Sequence, residues 1–542
     1  MMRVLSVNRS SVLVELAGLD DVLALHASLA SAPLEGVREV IPAAQTLLLR
    51  FDPARWTRQT LIEALSQRDL SAARRIQSAL VEIPVRYDGE DLAEVARLCG
   101  LSIEEVIRRH GASEFTVAFC GFSPGFGYLV GGDPVLQVPR RSTPRTRVPA
   151  GSVAIAGIYC GVYPQASPGG WQLIGTTSMP MWDPACASPA ILSPGTRARF
   201  IDIGASALPN SASVPSDRTG DPSAKEKDVG RPYLEVIASA LPALVQDLGR
   251  PGHAAIGVTA SGALDRESFK RANAVAGNLP DLAALEIAFG HFAFKCSDDT
   301  VIAFAGAPAQ ITITRASGEI VDAAMNEAIS LKSGDRVKLG YPTLGVRTYL
   351  AVRGGLAVAK TLGSASRDVL AGLGPEPIVK GAILAVGRES SMKVHRKIDE
   401  ISVPALPASG DEVVLDIFEG PRADWFTDDA FQRLCNQPWR VTPQSNRVGL
   451  RLRGEKTLTR RFERELPSEG MVSGAIQVPH DGQPVLLLGD HPVTGGYPVI
   501  AVVAEHHLDL AGQIPPGVAI RFRLLDQEGD DSIIRRAPNL EP

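Results

Sequence analysis

The sequence predicts a mainly β chain of α+β character, with about three β-barrels behind a small N-terminal α/β domain. Three observations predict it. From Arg140 to Gly175, the turn signals Pro149-Ala150-Gly151, Gly161 and Pro168-Gly169-Gly170 separate short runs in which apolar residues alternate with small or polar ones, the period of half-buried strands. Pro194-Gly195-x-x-x-Arg199-Phe200 recurs as Pro516-Gly517-x-x-x-Arg521-Phe522, Ser167-Pro-Gly-Gly-Trp171 as Val493-Thr-Gly-Gly-Tyr497, and Gly151-Ser152-Val-Ala-Ile155 as Ser473-Gly474-Ala-Ile476. Ordered recurrence of three strings marks duplicated barrels. Finally, 542 residues at 45% hydrophobic content supply several packed cores.

In chain order, residues 1–80 read as the α/β domain: a strand near Ser11-Leu16, a helix over about Leu19-Ala32, a strand at Thr46-Phe51 and a helix over Thr57-Gln67. Residues 81–205 form the first barrel, with helices at Asp91-Cys99 and Ile103-Gly111, the latter opened by Ser102 as N-cap with Glu105 three residues on. Over 206–230 apolar periodicity gives way to Ser, Pro, Asp and Lys, the composition of a flexible linker. Residues 231–400 and 405–530 form two further barrels; Ser333-Gly334-Asp-Arg-Val337 is a weaker third copy of the terminal turn and strand. A covalent linker raises the effective concentration of its halves, so the chain reads as two proteins fused because they work together.

Charge and cysteine usage narrow the class. A net charge of -5 from 55 basic and 60 acidic residues gives no general attraction to nucleic acid or anionic membrane. The six cysteines include no C-x-x-C pair, as in a protein with reduced thiols. The alternating N-terminus lacks a signal-peptide core, and no apolar stretch approaches the about 20 residues that span a bilayer. A cytoplasmic protein without nucleic-acid or membrane partners is expected.

Chemistry concentrates at turns. Arg140, Arg141, Arg145 and Arg147 precede a Gly-rich loop, where guanidinium forks and backbone N–H groups would meet a carboxylate or phosphate together; a solvated strand edge explains the same residues. Gly121-Phe-Ser123-Pro-Gly125 matches G-x-S-x-G literally, but Pro124 and Gly125 forbid the helix a nucleophile elbow needs, so a turn is expected. Gly354-Gly-Leu-Ala-Val-Ala359-Lys360-Thr361 misses a phosphate-binding loop at Ala359, and no other nucleotide fingerprint occurs. His506-His507, with Glu505 and Asp509, lacks a recognised ligand spacing, so no metal is expected. The Met392-Lys393 dipeptide predicts no covalent biotin. Polar residues crowd glycines at Gln246-Asp247-Leu-Gly-Arg250, Ser261-Gly-Ala-Leu-Asp265, Arg353-Gly-Gly355, Arg447-Val-Gly-Leu-Arg451 and Ser468-Glu469-Gly470. Carboxylates beside arginines on tight loops orient amides and transfer protons, and capped turns produce the same strings.

Taken together the strings resemble a known family. IPVRYDGEDLAEVA, GFSPGFGYL, TPRTRVPAGSVAIAG and SPGGWQLIG, within 1–205, are similar to the B subunit of the bacterial ATP-dependent 5-oxoprolinase and its Kip-type relatives. LVQDLGRPGHAAIGVTASGALD, YLAVRGGL, GSASRD, RVGLRLRG, SEGMVSGAIQVPHDGQPVLLLGD and TGGYPVIA, within 231–530, resemble the C subunit, and the pair also resembles the carboxyltransferase region of urea amidolyase. Two departures stand out: Asn446 where relatives of the C subunit carry aspartate before the arginine, and Gly127 where the GFxPGFPYL loop carries proline.

The resemblance implies cyclophilin-like barrels and a fused B/C component of 5-oxoprolinase, an ATP-dependent amidohydrolase that opens the lactam of 5-oxoproline to glutamate with a separate third subunit. It implies ATP with Mg2+ as cofactor and a small lactam or amide as substrate. On this reading Arg145, Arg147, Gly151, Ser152, Arg353 and Arg447 bind substrate, and Asp247, Asp265, Glu469 and Asp490 act as catalytic groups. Two other readings stand beside it: a biotin-dependent carboxyltransferase acting on urea or a similar amide, and a Kip-like regulator of a histidine kinase.

Overall fold

The computed structural model describes residues 2–70, 80–204, 231–388 and 405–525. The linker expected over 206–230, the Met392-Lys393 tract and the tail beyond 525 lie outside the described residues.

The N-terminal unit is a four-stranded antiparallel sheet in the order Arg3–Asn8, Ser11–Glu15, Thr46–Phe51, Val37–Pro42. Its central strands are apolar at consecutive positions because both faces are covered. Val12, Val14, Leu47 and Leu49 pack under the helices Leu19–Ser31 and Arg58–Ser66, while Leu13 and Leu48 face a cluster with Met471, Val472 and Val502 of the last barrel. Thr57 opens the second helix with a reciprocal capping box to Thr60, satisfying donors a helix start leaves orphaned.

The first barrel runs in the order Gln172–Thr176, Ser152–Ala156, Tyr159–Val162, Gly127–Val130, Phe115–Cys120, Arg197–Asp202, Leu80–Val85. Its two ends meet at a bridge in which Arg86 and Thr176 exchange both backbone bonds at 2.8 Å. The last barrel repeats that order with Val499–Val503, Ala475–Gln477, Val485–Leu487, Gly449–Arg453, Trp439–Val441, Ala519–Leu524 and Glu412–Glu419, and it closes fully. The recurring Pro-Gly turns occupy the same place in both. Gly195 and Gly517 have φ of +86° and +93°, and each leads into a strand running parallel to the first strand of its own barrel.

Between them, residues 233–386 form a flattened barrel of two facing sheets, six- and five-stranded, around one core that includes Leu234, Phe294, Phe304 and Leu350. The weaker third copy keeps its turn at Gly334, φ +90°, but its strand Arg336–Leu339 pairs antiparallel with Phe292–Cys296 and Ile311–Thr314. Its likeness to the other two therefore ends at the turn. Among the described residues no helix is long and apolar enough to cross a membrane.

The two halves are joined closely. Gly125 N–H donates to Ile256 O at 3.0 Å, and a Cβ at Gly121 would stand 1.9 Å from Thr494 Oγ1. The Gly121-Phe-Ser-Pro-Gly125 string is thus a turn that docks one half on the other, with Phe122 at φ +65°.

Candidate functional site at the junction of the two halves

A cavity of about 330 Å³ opens where the N-terminal sheet, the segment 254–270 and the last barrel meet. The N-terminal sheet contributes Glu39 and Arg50, the central segment Thr259, Ser261 and Arg266, and the last barrel His491. Neither half contains the site alone.

Glycine-rich strings that are far apart in sequence build its wall. A Cβ at Gly249 would stand 2.4 Å from Ala260 O, and one at Gly262 would stand 2.9 Å from Gly249 N, so only glycines let these two turns stack. Arg250 N–H donates to Ala260 O at 2.7 Å, and Ala263 N–H to Asp247 O at 3.0 Å. That packing sets Ser261 at φ +54°, a strained backbone for a residue with a side chain. Its hydroxyl donates to Asp490 Oδ1 at 2.6 Å, and the Thr259 hydroxyl donates to Asp368 Oδ2 at 3.0 Å. Two cavity hydroxyls are each backed by a buried carboxyl group.

Behind them Arg447 is fully engaged: Nε to Asp490 Oδ2 at 2.9 Å, Nη2 to Asp490 Oδ1 at 3.0 Å and Gly262 O at 2.7 Å, and Nη1 to Glu286 Oε1 at 2.6 Å. Burial opposes its charge, but Asp490 and Glu286 outweigh that and raise its pKa. Asp368 has no guanidinium bond. Its Oδ1 accepts from Leu370 and Ala371 N–H at 2.9 Å each, and burial with the negative charge of Asp490 raises its pKa to about 6.

His491 Nδ1 donates to Pro492 O at 2.9 Å, and burial lowers its pKa. The ring is therefore neutral at pH 7 with Nε2 as an acceptor. Arg50 pairs with Glu39 at 3.1 Å; desolvation and Arg50 lower the pKa of Arg266, against the pull of Asp509 and Glu505.

The structure brings several sequence-predicted residues to this wall and gives them specific partners. Asp247 accepts from Ser364 and Ser366 hydroxyls at 2.6 Å each, from Ala365 N–H at 2.7 Å and from Gly249 N–H at 2.8 Å, so it organises the turn. Asp265 caps the helix Arg266–Val275 through Ser268 N–H and takes Gln513 Nε2 at 2.7 Å. Asp490 and Arg447 lie directly behind the cavity; Arg353 does not line it and follows the strand Arg347–Val352. Glu469 is elsewhere, held by Arg422, with Nε at 2.9 Å from Oε1 and a further bond from Nη2.

The expected anion loop of the first barrel has partners within the protein. Arg145 Nη2 meets the protein's own Asp91 at 2.9 Å and Glu90 at 3.0 Å. Gly151 N–H donates to Tyr163 O at 2.8 Å and Ser152 N–H to Pro149 O at 3.4 Å, and Ser152 is buried; Arg145 Nη1 is buried without a partner, and Arg147 is exposed. Among the described residues one group has metal-ligand types, Asp416, His506 and His507. Arg523 holds Asp416 Oδ1 at 2.6 Å, His506 Nε2 lies 3.0 Å from Asp416 Oδ2, and His507 Nδ1 accepts Asp416 N–H at 2.8 Å.

Sequence reasoning missed Thr259, Asp368, Glu286, His491 and Arg50 as site residues. Thr259 lies within LVQDLGRPGHAAIGVTASGALD and Asp368 ends the GSASRD string, so these two sat inside strings already noticed, and His491 directly follows the string that ends at Asp490.

Comparison with known proteins places this architecture in a class. Residues 2–192 match the carboxyltransferase domain, subdomain C and D, and residues 256–524 the carboxyltransferase domain, subdomain A and B. The chain is 34% identical over 297 residues to the 5-oxoprolinase C subunit of Escherichia coli K12, covering 53% of this chain and 90% of that protein. It is 39% identical over 201 residues to the 5-oxoprolinase B subunit of Bacillus subtilis 168, covering 34% of this chain and 82% of that protein. The crystal structure of TTHA0988 superposes with a TM-score of 0.80 at 34% identity, covering 96% of this chain and all of that one. Two carboxyltransferase-domain units thus stand in a single chain. The chain belongs to the family of the 5-oxoprolinase B and C subunits, with a counterpart of each joined in one polypeptide.

Proposed function

We propose that this chain is the fused B and C component of an ATP-dependent 5-oxoprolinase, which opens the lactam of 5-oxoproline to glutamate with a separate third subunit in the cytoplasm. The observation that carries the reading is the junction cavity, whose wall takes residues from the B-like half and the C-like half together. Its size suits a compact cyclic amide. Arg266 offers donors to a carboxylate, and His491 Nε2 is the acceptor available to a water that attacks the carbonyl carbon.

ATP does not fit this donor set. Arg50 is paired with Glu39 and Lys270 with Glu267, Glu505 and Asp509 add further negative charge, and no glycine cradle like a phosphate-binding loop lines the cavity. ATP dependence is therefore assigned to the assembly and not to this cavity.

The test is product formation by the purified chain mixed with the third subunit, with and without ATP and 5-oxoproline. Glutamate and ADP appearing together, and only with both proteins present, is the expected result. Neither product appearing with an active partner overturns the reading and directs attention to carboxybiotin turnover with urea.

A further inference from the structure

Asp368 and Asp490 are both completely buried, with 0% exposure, and each is the acceptor for a hydroxyl in the cavity wall. Their surroundings differ in one decisive way. Asp490 has two bonds from the Arg447 guanidinium, besides Val369 N–H at 3.0 Å and the Ser261 hydroxyl. Asp368 has two backbone N–H groups and one hydroxyl. Like charges in one dry site cannot both ionise freely, and the partner without a cation takes the proton. The neighbouring Arg250 acts from a distance only: its Nε and Nη2 serve the carbonyls of Thr361 and Ser366, and its Nη1 is buried without a partner, so this wall has a donor with no acceptor.

Resting on the functional reading above, we propose that Asp368 stores a proton and Thr259 relays it to the nitrogen that leaves when an amide ring opens in the junction cavity. With Asp368 protonated, the Thr259 oxygen accepts from the carboxyl and its own hydrogen turns to the ligand. As the C–N bond breaks, the nitrogen takes the Thr259 proton and Thr259 takes that of Asp368. The water oxygen forms the new C–O bond and its proton goes to His491 Nε2; exchange through solvent returns that proton to Asp368. Thr259 is the catalytic residue of this step, and Asp368 is the residue that positions its proton. Ser261 remains an acceptor because Arg447 holds Asp490 as the anion facing it, which suits a ligand N–H. The raised pKa of Asp368 supports this division, with burial and then Asp490 pushing it up, Arg250 pulling it down, and Asp247 and Glu286 balancing Arg250 and Arg447 behind them.

Two readouts test it on the full chain. Infrared titration of the chain alone follows the protonated-carboxyl band. The band should disappear with a midpoint near pH 6 and be missing in Asp368→Asn. Turnover of 5-oxoproline by the chain with its third subunit should fall about a hundredfold in kcat, with KM nearly unchanged, in Thr259→Val, and Thr259→Ser should restore most of it. Asp368→Asn should remove the loss of activity above pH 6. Absence of the band in the wild type, or a Thr259→Val variant with wild-type kcat and pH profile, overturns the relay. A wild-type chain without any turnover sinks the functional reading instead, and the infrared titration then still decides where the proton sits.

Discussion

The first and last barrels share a strand order, yet they fasten the same ribbon with opposite charges. In the first, Arg145 stands opposite Gly169 in a two-stranded ribbon and reaches Asp91; in the last, Glu469 stands opposite Gly495 and takes Arg422. Asp91 and Arg422 occupy one backbone position: their N–H groups donate to Leu173 O at 3.0 Å and Val499 O at 3.1 Å, and each lies two residues after a glycine. What is retained between the barrels is a clamp, and its polarity is free to invert. The clamps also differ in burial. The Arg145 side chain is 17% exposed, whereas Arg422 is 6% exposed because the N-terminal sheet lies over it and adds Glu15 at 2.8 Å.

That difference predicts the largest effect. Removing one partner of a buried pair strands the other charge, so Glu469→Ala should cost about 3–5 kcal/mol in urea unfolding. A loss under about 1 kcal/mol would mean that Glu15 alone satisfies Arg422, and the burial contrast would fall.

The steric part of the comparison should be symmetric. A Cβ at Gly89 would lie 2.3 Å from Leu173 O, and one at Gly420 would lie 2.5 Å from Val499 O. Gly89→Ala and Gly420→Ala should each cost about 1–3 kcal/mol, because backbone must shift in both barrels. Unfolding midpoints that differ by more than the errors of the two measurements would separate the barrels sterically as well as electrically.

Acid titration should show opposite signs. Burial opposes ionisation of Asp91, but Arg145, the Leu173 N–H and Arg141 together lower its pKa. The stability it contributes is present above its unfolded value and is lost as pH falls through the lower folded value. At Glu469 burial outweighs Arg422 and raises the pKa. The folded state then binds the proton more readily, and stability from this group increases as pH falls from the raised value toward 4.5. The stability advantage of wild type over Asp91→Asn should shrink in acid, and its advantage over Glu469→Gln should grow, by at most about 1.4 kcal/mol for each tenfold change in proton affinity. Parallel curves would end the contrast.

These symmetries also mark what was legible in sequence. Pro194-Gly195 and Pro516-Gly517 are readable because a turn into a parallel strand needs glycine at positive φ, and that need leaves the same letters in both barrels. The clamp is invisible because Arg145 and Glu469 share a position without sharing chemistry. The polar strings around glycines were noticed singly, and their convergence on one cavity is a matter of packing across more than 200 residues, as from Ser261 to Asp490. Arg50 and Glu39 carry no local sign at all, since they become site residues only when the N-terminal sheet docks on the last barrel.

The smallest effect is the most informative about Arg145, which the sequence placed in an anion-binding loop. Asp91 keeps a second guanidinium, Arg141 Nη1 at 2.5 Å from Oδ1, as well as the Leu173 N–H at 2.8 Å. Arg145→Ala therefore leaves no stranded charge, and it should cost no more than about 1 kcal/mol. If Arg145 is only a clamp, turnover by the reconstituted assembly should match wild type within twofold. A tenfold or greater loss of turnover at unchanged stability would mean that the ribbon also meets substrate or partner, and that the exposed clamp had kept a function the buried one lacks.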